Sequence, residues 1–234
     1  MGTINKIYWT TLQLVTKIRE DLDMQEETFI SPSELLSYIN EAIDKAESDV
    51  MGLYEDYFLT NAKLSITSGL EEYDLPVDIY AHKIRRIIFQ VGSRVYRVSR
   101  IKDWHKFEEY SLDRSNSSSR LYKYFLINKI PGQPQILFSP IPYETITDAM
   151  VVWYTRQANR LEIDGDIMDI PEAYKYIISY AKQKCLFKEK NPAFAEQKVE
   201  TADERKEMIT TLATMVPDGD NYIEPDYSSY EEHS

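Results

Sequence analysis

The sequence has one cysteine, seven glycines and three histidines among 234 residues, and each of these low counts excludes a class of site. A single cysteine, Cys185, allows neither an internal disulfide nor a cysteine-rich zinc site. The glycines do not cluster into a loop that could hold phosphate groups. No two of His82, His105 and His233 have the spacing of metal ligands. We therefore predict no metal site, no cofactor and no catalytic residue.

Long apolar runs and targeting signals are also missing. No stretch approaches the roughly 18 consecutive apolar residues that a transmembrane helix needs. The N-terminal residues lack the apolar core and cleavage site of a secretory signal, and Lys6 stands where a myristoylation motif has Ser or Thr. With 43% hydrophobic and 28% charged residues, the composition is that of a folded globular protein without membrane attachment.

Net charge is distributed unevenly along the chain. The total of −12 divides into −11 for residues 1–81, +7 for residues 82–123, −2 for residues 124–216 and −6 for residues 217–234. An acidic protein with a basic middle is a poor candidate for general nucleic-acid binding, because its overall field repels phosphates. The polarity favours contact with another copy of the chain or with an acidic partner through one patch.

Helical spacing of apolar residues begins the chain. A first helix is predicted over residues 4–22. A second begins at Ser31, where Ser31 caps the helix, Pro32 occupies its first turn and Glu34 closes a capping box. The apolar stripe of this second helix continues to about residue 57.

Helical spacing returns near the C-terminus. Asp169 is the predicted cap of a third helix, with Glu172 three residues later. Asn191-Pro192 ends that helix and starts a fourth. The predicted inner side of the fourth helix consists of small and aliphatic residues: Ala195, Val199, Ala202, Ile209, Ala213 and Val216.

The middle of the chain has the two-residue period of strands. About six strands are predicted between residues 62 and 155, and Gly92-Ser93 closes a tight hairpin between two of them. Asp103 is placed to cap a short helix. The element order predicts an α+β fold: a four-helix bundle from residues 1–61 and 169–216, a β-rich insertion at 62–168 between the second and third helices, and an extended acidic C-terminal arm at 217–234.

The basic hairpin is one candidate contact surface. Arg94, Arg97 and Arg100 lie in one predicted strand, in which Arg97 and Arg100 face opposite sides. Three interpretations stay open at this point: a solvated hairpin face, an interface with an acidic protein surface, and a nucleic-acid contact.

The acidic C-terminal arm is the second candidate. The chain has eighteen tyrosines against eight phenylalanines, and three of them lie in the arm, where no core exists to bury them. Tyr222, Ile223, Tyr227 and Tyr230 alternate there with acidic residues and prolines. The segment is either a plain solvated tail or one that folds on a partner, with these side chains as anchors.

The order of several short motifs resembles that of head-to-tail adaptor (connector) proteins of short-tailed bacteriophages. The similarity spans nearly all of the chain. Its parts are SPSELLSYINEAI, then Tyr-Asp-Leu-Pro at residues 73–76, then ILFSPIP at 136–142, then VVWYTR at 151–156, and last DIPEAYKYIISYAK ahead of the acidic tail. Each motif alone is weak, and the resemblance rests on their order and spacing.

The resemblance implies a structural protein of the virion, made in the host cytoplasm, and no enzyme. Such adaptors form a twelve-membered ring below the portal protein, extend the DNA channel without sequence-specific binding and give the tail or nozzle protein a docking platform. In this family the C-terminal segment reaches into the portal assembly, which by position would assign portal contact to Tyr222, Ile223, Tyr227 and Tyr230. A ring also needs heterologous interfaces, for which the basic hairpin with Arg94, Arg97 and Arg100 is a candidate.

Two alternatives come from other functional classes. A hydrolase-like enzyme would need a site that converges on His82 or His105 with acidic residues. A small nucleic-acid-binding or regulatory module would instead use the basic run, which comprises Lys83, Arg85, Arg86, Arg94, Arg97, Arg100 and Lys102.

Overall fold

Capping side chains fix where the first two helices begin. The structure, a computed structural model, describes residues 8–24, 29–112 and 121–215. Thr10 and Gln13 form a reciprocal capping box at the start of the first helix. At the second, the Ser31 hydroxyl accepts a hydrogen bond from the Glu34 amide at 3.2 Å, with proline in the first turn, which confirms the predicted start.

The described residues form five helices and seven strands. The helices are α1 (Thr11–Asp21), α2 (Pro32–Leu53), α3 (Trp104–Leu112), α4 (Tyr174–Lys188) and α5 (Phe194–Met215). The strands are β1 (Leu59–Ile66), β2 (Glu72–Asp74), β3 (Ile79–Val91), β4 (Arg94–Arg100), β5 (Lys123–Ile130), β6 (Gln133–Ser139) and β7 (Ile146–Arg156). No helix in these ranges is both long and apolar enough to cross a membrane.

The backbone divides into two compact units. The described residues up to Tyr54 and those from Arg160 onward form a helical unit, which contains α1, α2, α4 and α5. Residues Glu55–Asn159 form a sheet unit, which contains the seven strands and α3.

The helical unit is organised around α4. This helix contacts α1, α2 and α5, and its residues from Tyr176 to Ala181 are buried consecutively. Helix α4 does not begin with the predicted cap at Asp169, because a short 3₁₀ turn, Pro171–Ala173, precedes it and no side chain caps its first turn. Cys185 lies in this helix and is buried, and burial raises the pKa of its thiol to about 12, so it is an inert core residue.

Helix α5 buries a different face from the one predicted. Val199 is 63% exposed, Ala195, Ala202 and Ala213 are exposed as well and Ile209 is half-buried, so the predicted inner side is wrong. Val216, the last residue of the predicted stripe, lies outside the described residues. The buried stripe consists instead of Gln197, Thr201, Met208 and Leu212. Its two polar members are satisfied by Ser179 of α4: Gln197 Nε2 donates to the Ser179 hydroxyl at 2.8 Å, and the hydroxyls of Thr201 and Ser179 are 3.0 Å apart.

The sheet unit has one mixed sheet with the strand order β1-β7-β3-β4-β5-β6-β2. All neighbouring strands are antiparallel except β4 and β5, whose parallel pairing follows from the crossover through α3. Gly92, with a φ of +57°, occupies the tight turn between β3 and β4, which confirms the predicted hairpin. One side of the sheet carries the core: Ile87, Phe89, Ile136, Phe138, Met150 and Val152.

The predicted four-helix bundle with a β-rich insertion is wrong, although the fold is mixed α+β. The structure has a seven-stranded half-barrel sheet and five helices. The bundle prediction assumed four equivalent amphipathic helices, whereas α4 is buried on several sides and α5 on one narrow stripe. The strands also bury an apolar core of their own, so they constitute a separate compact unit.

Candidate functional site

Strand β4 places its three arginines on two opposite faces of the sheet. Val98 is buried in the core, and because side chains alternate along a strand, residues separated from it by an even number of positions lie on the core side. Arg94 and Arg100 therefore share the parity of the core side, at the two ends of the strand, while Arg97 lies on the other side. All three are exposed. The structure thus brings Arg94 and Arg100 to one face and separates Arg97 from them.

The basic run is divided between paired and unpaired cations. Arg85 lies 2.8 Å from a Glu55 carboxylate oxygen and 2.7 Å from one of Asp56, and Lys83 lies 3.3 Å from Glu55. The described residues place no carboxylate within 4 Å of Arg86 or of the three arginines of β4. The ion pairs of Lys83 and Arg85 connect β3 to the segment before β1. Arg86 and the arginines of β4 have no such ion pair in the described ranges.

The side of the sheet opposite the core carries an apolar centre with basic residues around it. One row of paired residues runs across four strands through Lys63, Val151, Ile88 and Arg97. The neighbouring row places Trp153 between Asn61 and Arg86. We call this surface the outer sheet face and define it by its basic and apolar members: Lys63, Arg86, Ile88, Arg97, Val151 and Trp153.

The outer sheet face is open to solvent in the described part of the chain. Lys63, Arg86 and Arg97 are exposed, and Ile88, Val151 and Trp153 are half-buried. The sequence pattern points to Arg97 and the rest of the basic run but does not reveal Lys63 and Trp153 as members of this surface. The alternation of β1 and β7 contained the signal, but only the strand order places these residues in one row with Ile88 and Arg97.

Helix α5 presents a row of carboxylates on the side that it leaves exposed. Glu196, Glu200, Asp203 and Glu207 recur at spacings of four, three and four residues, so they form one stripe along the helix. We call these four residues the α5 acidic stripe. Glu207 is 2.9 Å from Lys175, and no cation among the described residues lies within 4 Å of the other three.

The charges of this stripe contribute to a raised pKa at the neighbouring residue Glu204. Burial first, and then the carboxylates of Glu207, Glu200 and Asp203, raise the pKa of Glu204, while Lys175 lowers it. The helix therefore concentrates negative charge that its own unit only partly neutralises.

In contrast to the α5 acidic stripe, the carboxylate of Glu41 in α2 is surrounded by hydrogen-bond donors. Glu41 accepts hydrogen bonds from Lys184 at 3.0 Å, from Lys45 at 3.2 Å and from the Tyr180 hydroxyl. Burial alone would raise the pKa of Glu41, but these donors lower it to about 2. The Lys45 ammonium also lies 4.2 Å from the centre of the Tyr180 ring. This cluster fastens α2 to α4.

The family of the chain follows from comparison with known proteins. Residues 9–223 match the family described as SU10 adaptor protein. The chain belongs to the SU10 adaptor protein family. The resemblance to the head-to-tail adaptors of bacteriophages is thereby confirmed, and the adaptor is a structural phage protein. None of the curated proteins searched matches the chain.

The two histidines of this adaptor in the described ranges do not form an enclosed acid–base site. His82 borders a cleft whose polar lining residues are the amides Asn128, Gln133 and Gln157. His105 is exposed on α3, 4.0 Å from Glu108. Within the described ranges, no three side chains of His, Cys, Asp or Glu come together to hold a metal ion.

The predicted anchors of the adaptor's C-terminal arm lie outside the described residues. These are Tyr222, Ile223, Tyr227 and Tyr230, together with the tail histidine His233. The family match nevertheless extends to residue 223 and includes the start of the arm.

Proposed function

We propose that the adaptor forms a twelve-membered ring below the portal protein, extends the DNA channel and gives the tail or nozzle protein a docking platform. The family match over residues 9–223 is the observation that carries this proposal. DNA passes through the ring without sequence-specific binding, in keeping with the net charge of −12.

Negative-stain imaging of the protein mixed with its portal tests the ring. We expect a twelve-fold collar on one side of the portal and no such density on the portal alone. A portal that stays bare at saturating adaptor concentration would contradict the proposal.

The proposal assigns portal binding to the C-terminal arm. Tyr222, Ile223, Tyr227 and Tyr230 are the anchors, since an acidic segment with aromatic residues gains affinity by seating these side chains in pockets of a partner. Deletion of residues 217–234 should abolish portal binding, and replacement of the three tyrosines by alanine should weaken it strongly. Ser228→Ala with Ser229→Ala in the same arm is the matched control and should bind normally. Unchanged affinity after the deletion would reject this assignment.

The proposal also places the arginines of β4 at subunit interfaces. Arg94, Arg97 and Arg100 are exposed and have no carboxylate partner among the described residues, and residues 1–81 carry an opposite net charge of −11. Because Arg97 faces away from the other two, Arg97→Glu and the pair Arg94→Glu with Arg100→Glu test two different surfaces. Each variant should impair ring assembly on the portal, and normal assembly of both would argue against the interface.

A further inference from the structure

We propose that the outer sheet face of one copy binds the α5 acidic stripe of a neighbouring copy. This inference rests on the proposed ring and names the surfaces through which its subunits meet. The contact joins two different surfaces of the same chain, which is the heterologous arrangement that a closed ring requires.

The outer sheet face has the composition of a docking surface. Its centre is apolar, with Trp153, Val151 and Ile88 half-buried, and Lys63, Arg86 and Arg97 lie around that centre. Strands β1, β7, β3 and β4 contribute no carboxylate to the rows that define this face. An apolar centre with unpaired cations around it fits a partner that combines apolar contact with negative charge.

Helix α5 has the matching chemistry. Its acidic stripe lines a groove on the exposed side of the helix. Val199 lines the same groove, and 63% of its surface is exposed. The groove thus offers an aliphatic side chain for the apolar centre and carboxylates for the cations around it.

The dimensions of the two surfaces also agree. Lys63 and Arg97 are separated by three strand spacings, or about 14 Å. Glu196 and Glu207 are eleven residues apart on one helix, a rise of about 16 Å, and of these two only Glu207 would have to exchange a cation of its own unit, Lys175 at 2.9 Å, for one of the neighbour. A helix laid across the four strands would therefore bring carboxylates to cations at both ends of the row.

The acidic residues near the N-terminus are a weaker match, because many of them already have cations of their own unit. Asp49 is 2.7 Å from Arg205, Asp44 is 2.6 Å from Arg160, and Glu34 is 2.5 Å from Lys188. Releasing such a carboxylate to a neighbouring copy would break an existing ion pair. In the α5 acidic stripe, Glu196, Glu200 and Asp203 have no such pair to break within the described residues.

Nucleic acid fits the outer sheet face less well than a second copy does. The net charge of −12 repels phosphates, and three cations around an apolar patch neutralise few of them. Loss of binding to a DNA duplex is the result that would assign this face to nucleic acid.

Charge exchange between two variants tests the contact directly. The first variant carries Arg86→Glu with Arg97→Glu, and the second carries Glu200→Lys with Asp203→Lys. Each alone puts like charges on both sides of every contact. In an equal mixture, however, each reversed surface meets an oppositely charged one, so that the two variants can alternate around a ring.

The measurement is the amount of adaptor bound per portal, supported by sedimentation of the adaptor without portal. Close ion pairs at interfaces are worth several kcal/mol, so we expect each variant alone to associate at least about tenfold more weakly than the wild type. The mixture should recover to within about threefold of the wild type. A matched control replaces the second variant by Glu108→Lys with Glu109→Lys, which changes net charge equally but alters exposed residues of α3. Because this control keeps both proposed surfaces and assembles by itself, its mixtures are scored by the incorporation of the labelled variant with Arg86→Glu and Arg97→Glu, which should not recover.

The outcomes separate this contact from the ring itself. A mixture as weak as its components, or one that the α3 control rescues equally, overturns the contact, while a wild-type collar on the portal still supports the ring. If the separate variants assemble normally but Arg86→Glu with Arg97→Glu loses binding to a DNA duplex, the face belongs to DNA and the contact is wrong. If wild type forms no collar, the ring proposal fails, and sedimentation of the variants and their mixture still decides the contact.

Discussion

Helices α4 and α5 pack against each other, yet they use their surfaces in opposite ways. Six consecutive residues of α4, from Tyr176 to Ala181, are buried, and the helix contacts three others. Helix α5 is seven residues longer but buries one narrow stripe and exposes carboxylates and Val199. The comparison indicates that α4 is the central packing element of the helical unit, whereas α5 leaves exposed the acidic face that we propose binds a neighbouring copy.

The largest difference between the two helices is expected when a cavity is made in α4. Ile177 is fully buried, so Ile177→Ala should lower the free energy of unfolding of the helical unit by about 2–5 kcal/mol. Val199→Ala in α5 removes an exposed aliphatic side chain and should change it by no more than about 0.5 kcal/mol. Urea unfolding followed by circular dichroism measures both. Equal losses would show that α5 is as important to the core as α4.

A smaller effect concerns the polar contact between the two helices. Thr201→Val removes a hydroxyl that contacts Ser179 and donates to the Gln197 carbonyl at 2.8 Å. Because the Ser179 hydroxyl loses a buried partner, the free energy of unfolding should fall by about 1–3 kcal/mol. Thr210→Val is the control, since that hydroxyl bonds to its own helix at an exposed position. A neutral Thr201→Val would mean that the buried hydroxyls contribute little to the register of α5.

This polar contact also explains why the buried face of α5 could not be predicted from the sequence. Periodicity assigns Ala195, Val199 and Ala202 to the inside and polar residues to the outside. Gln197 and Thr201 are buried only because Ser179 lies opposite them, and a local pattern in α5 contains no information about α4. The start of α2 was predictable, because its capping signal lies within four residues, from Ser31 to Glu34.

The candidate site likewise has one feature that the sequence predicts and one that only the structure reveals. That Arg97 faces away from Arg100 follows from strand alternation alone, and the structure agrees. That Lys63 shares a row with Arg97 follows from the strand order, which brings the first and last strands of the unit side by side. Long-range strand pairing is not encoded in a short window, so the outer sheet face became recognisable only in the structure.

The pH dependence of the free energy of unfolding distinguishes paired from unpaired carboxylates. Donors to Glu41 lower its pKa from an ordinary 4.5 to about 2, so this group stabilises the fold above pH 4.5, and the contribution is lost as pH falls toward 2. Glu41→Gln should reduce the difference in stability between pH 5 and about pH 3. The change should stay below about 1 kcal/mol, because the carboxylate is partly exposed.

Glu200→Gln is the matched control for this titration. It removes a carboxylate of the α5 acidic stripe that has no cation within 4 Å among the described residues. Urea unfolding at the two pH values should show no reduction of the difference for this variant, because removing one charge from a row of like charges relieves repulsion and breaks no ion pair. If Glu41→Gln behaves in the same way as Glu200→Gln, the cluster on Tyr180 does not couple α2 to α4.

Substitutions in the α5 acidic stripe should have the smallest effect on the free energy of unfolding. They also test whether the stripe serves folding or binding between copies. Asp203 lies three residues from Glu200 and four from Glu207, and like charges at these spacings destabilise a helix by about 0.2–0.5 kcal/mol per pair, while the opposite charge of Lys206, three residues further on, offsets one such pair. Asp203→Lys should therefore leave the adaptor equally stable or more stable by up to about 0.5 kcal/mol, measured as a rise in Tm, with Asp203→Asn giving part of the gain. The same substitution should weaken binding between copies. A residue that costs the monomer stability but is needed for assembly is retained for the contact, whereas a lower Tm for Asp203→Lys would place this carboxylate in the folding of α5 instead.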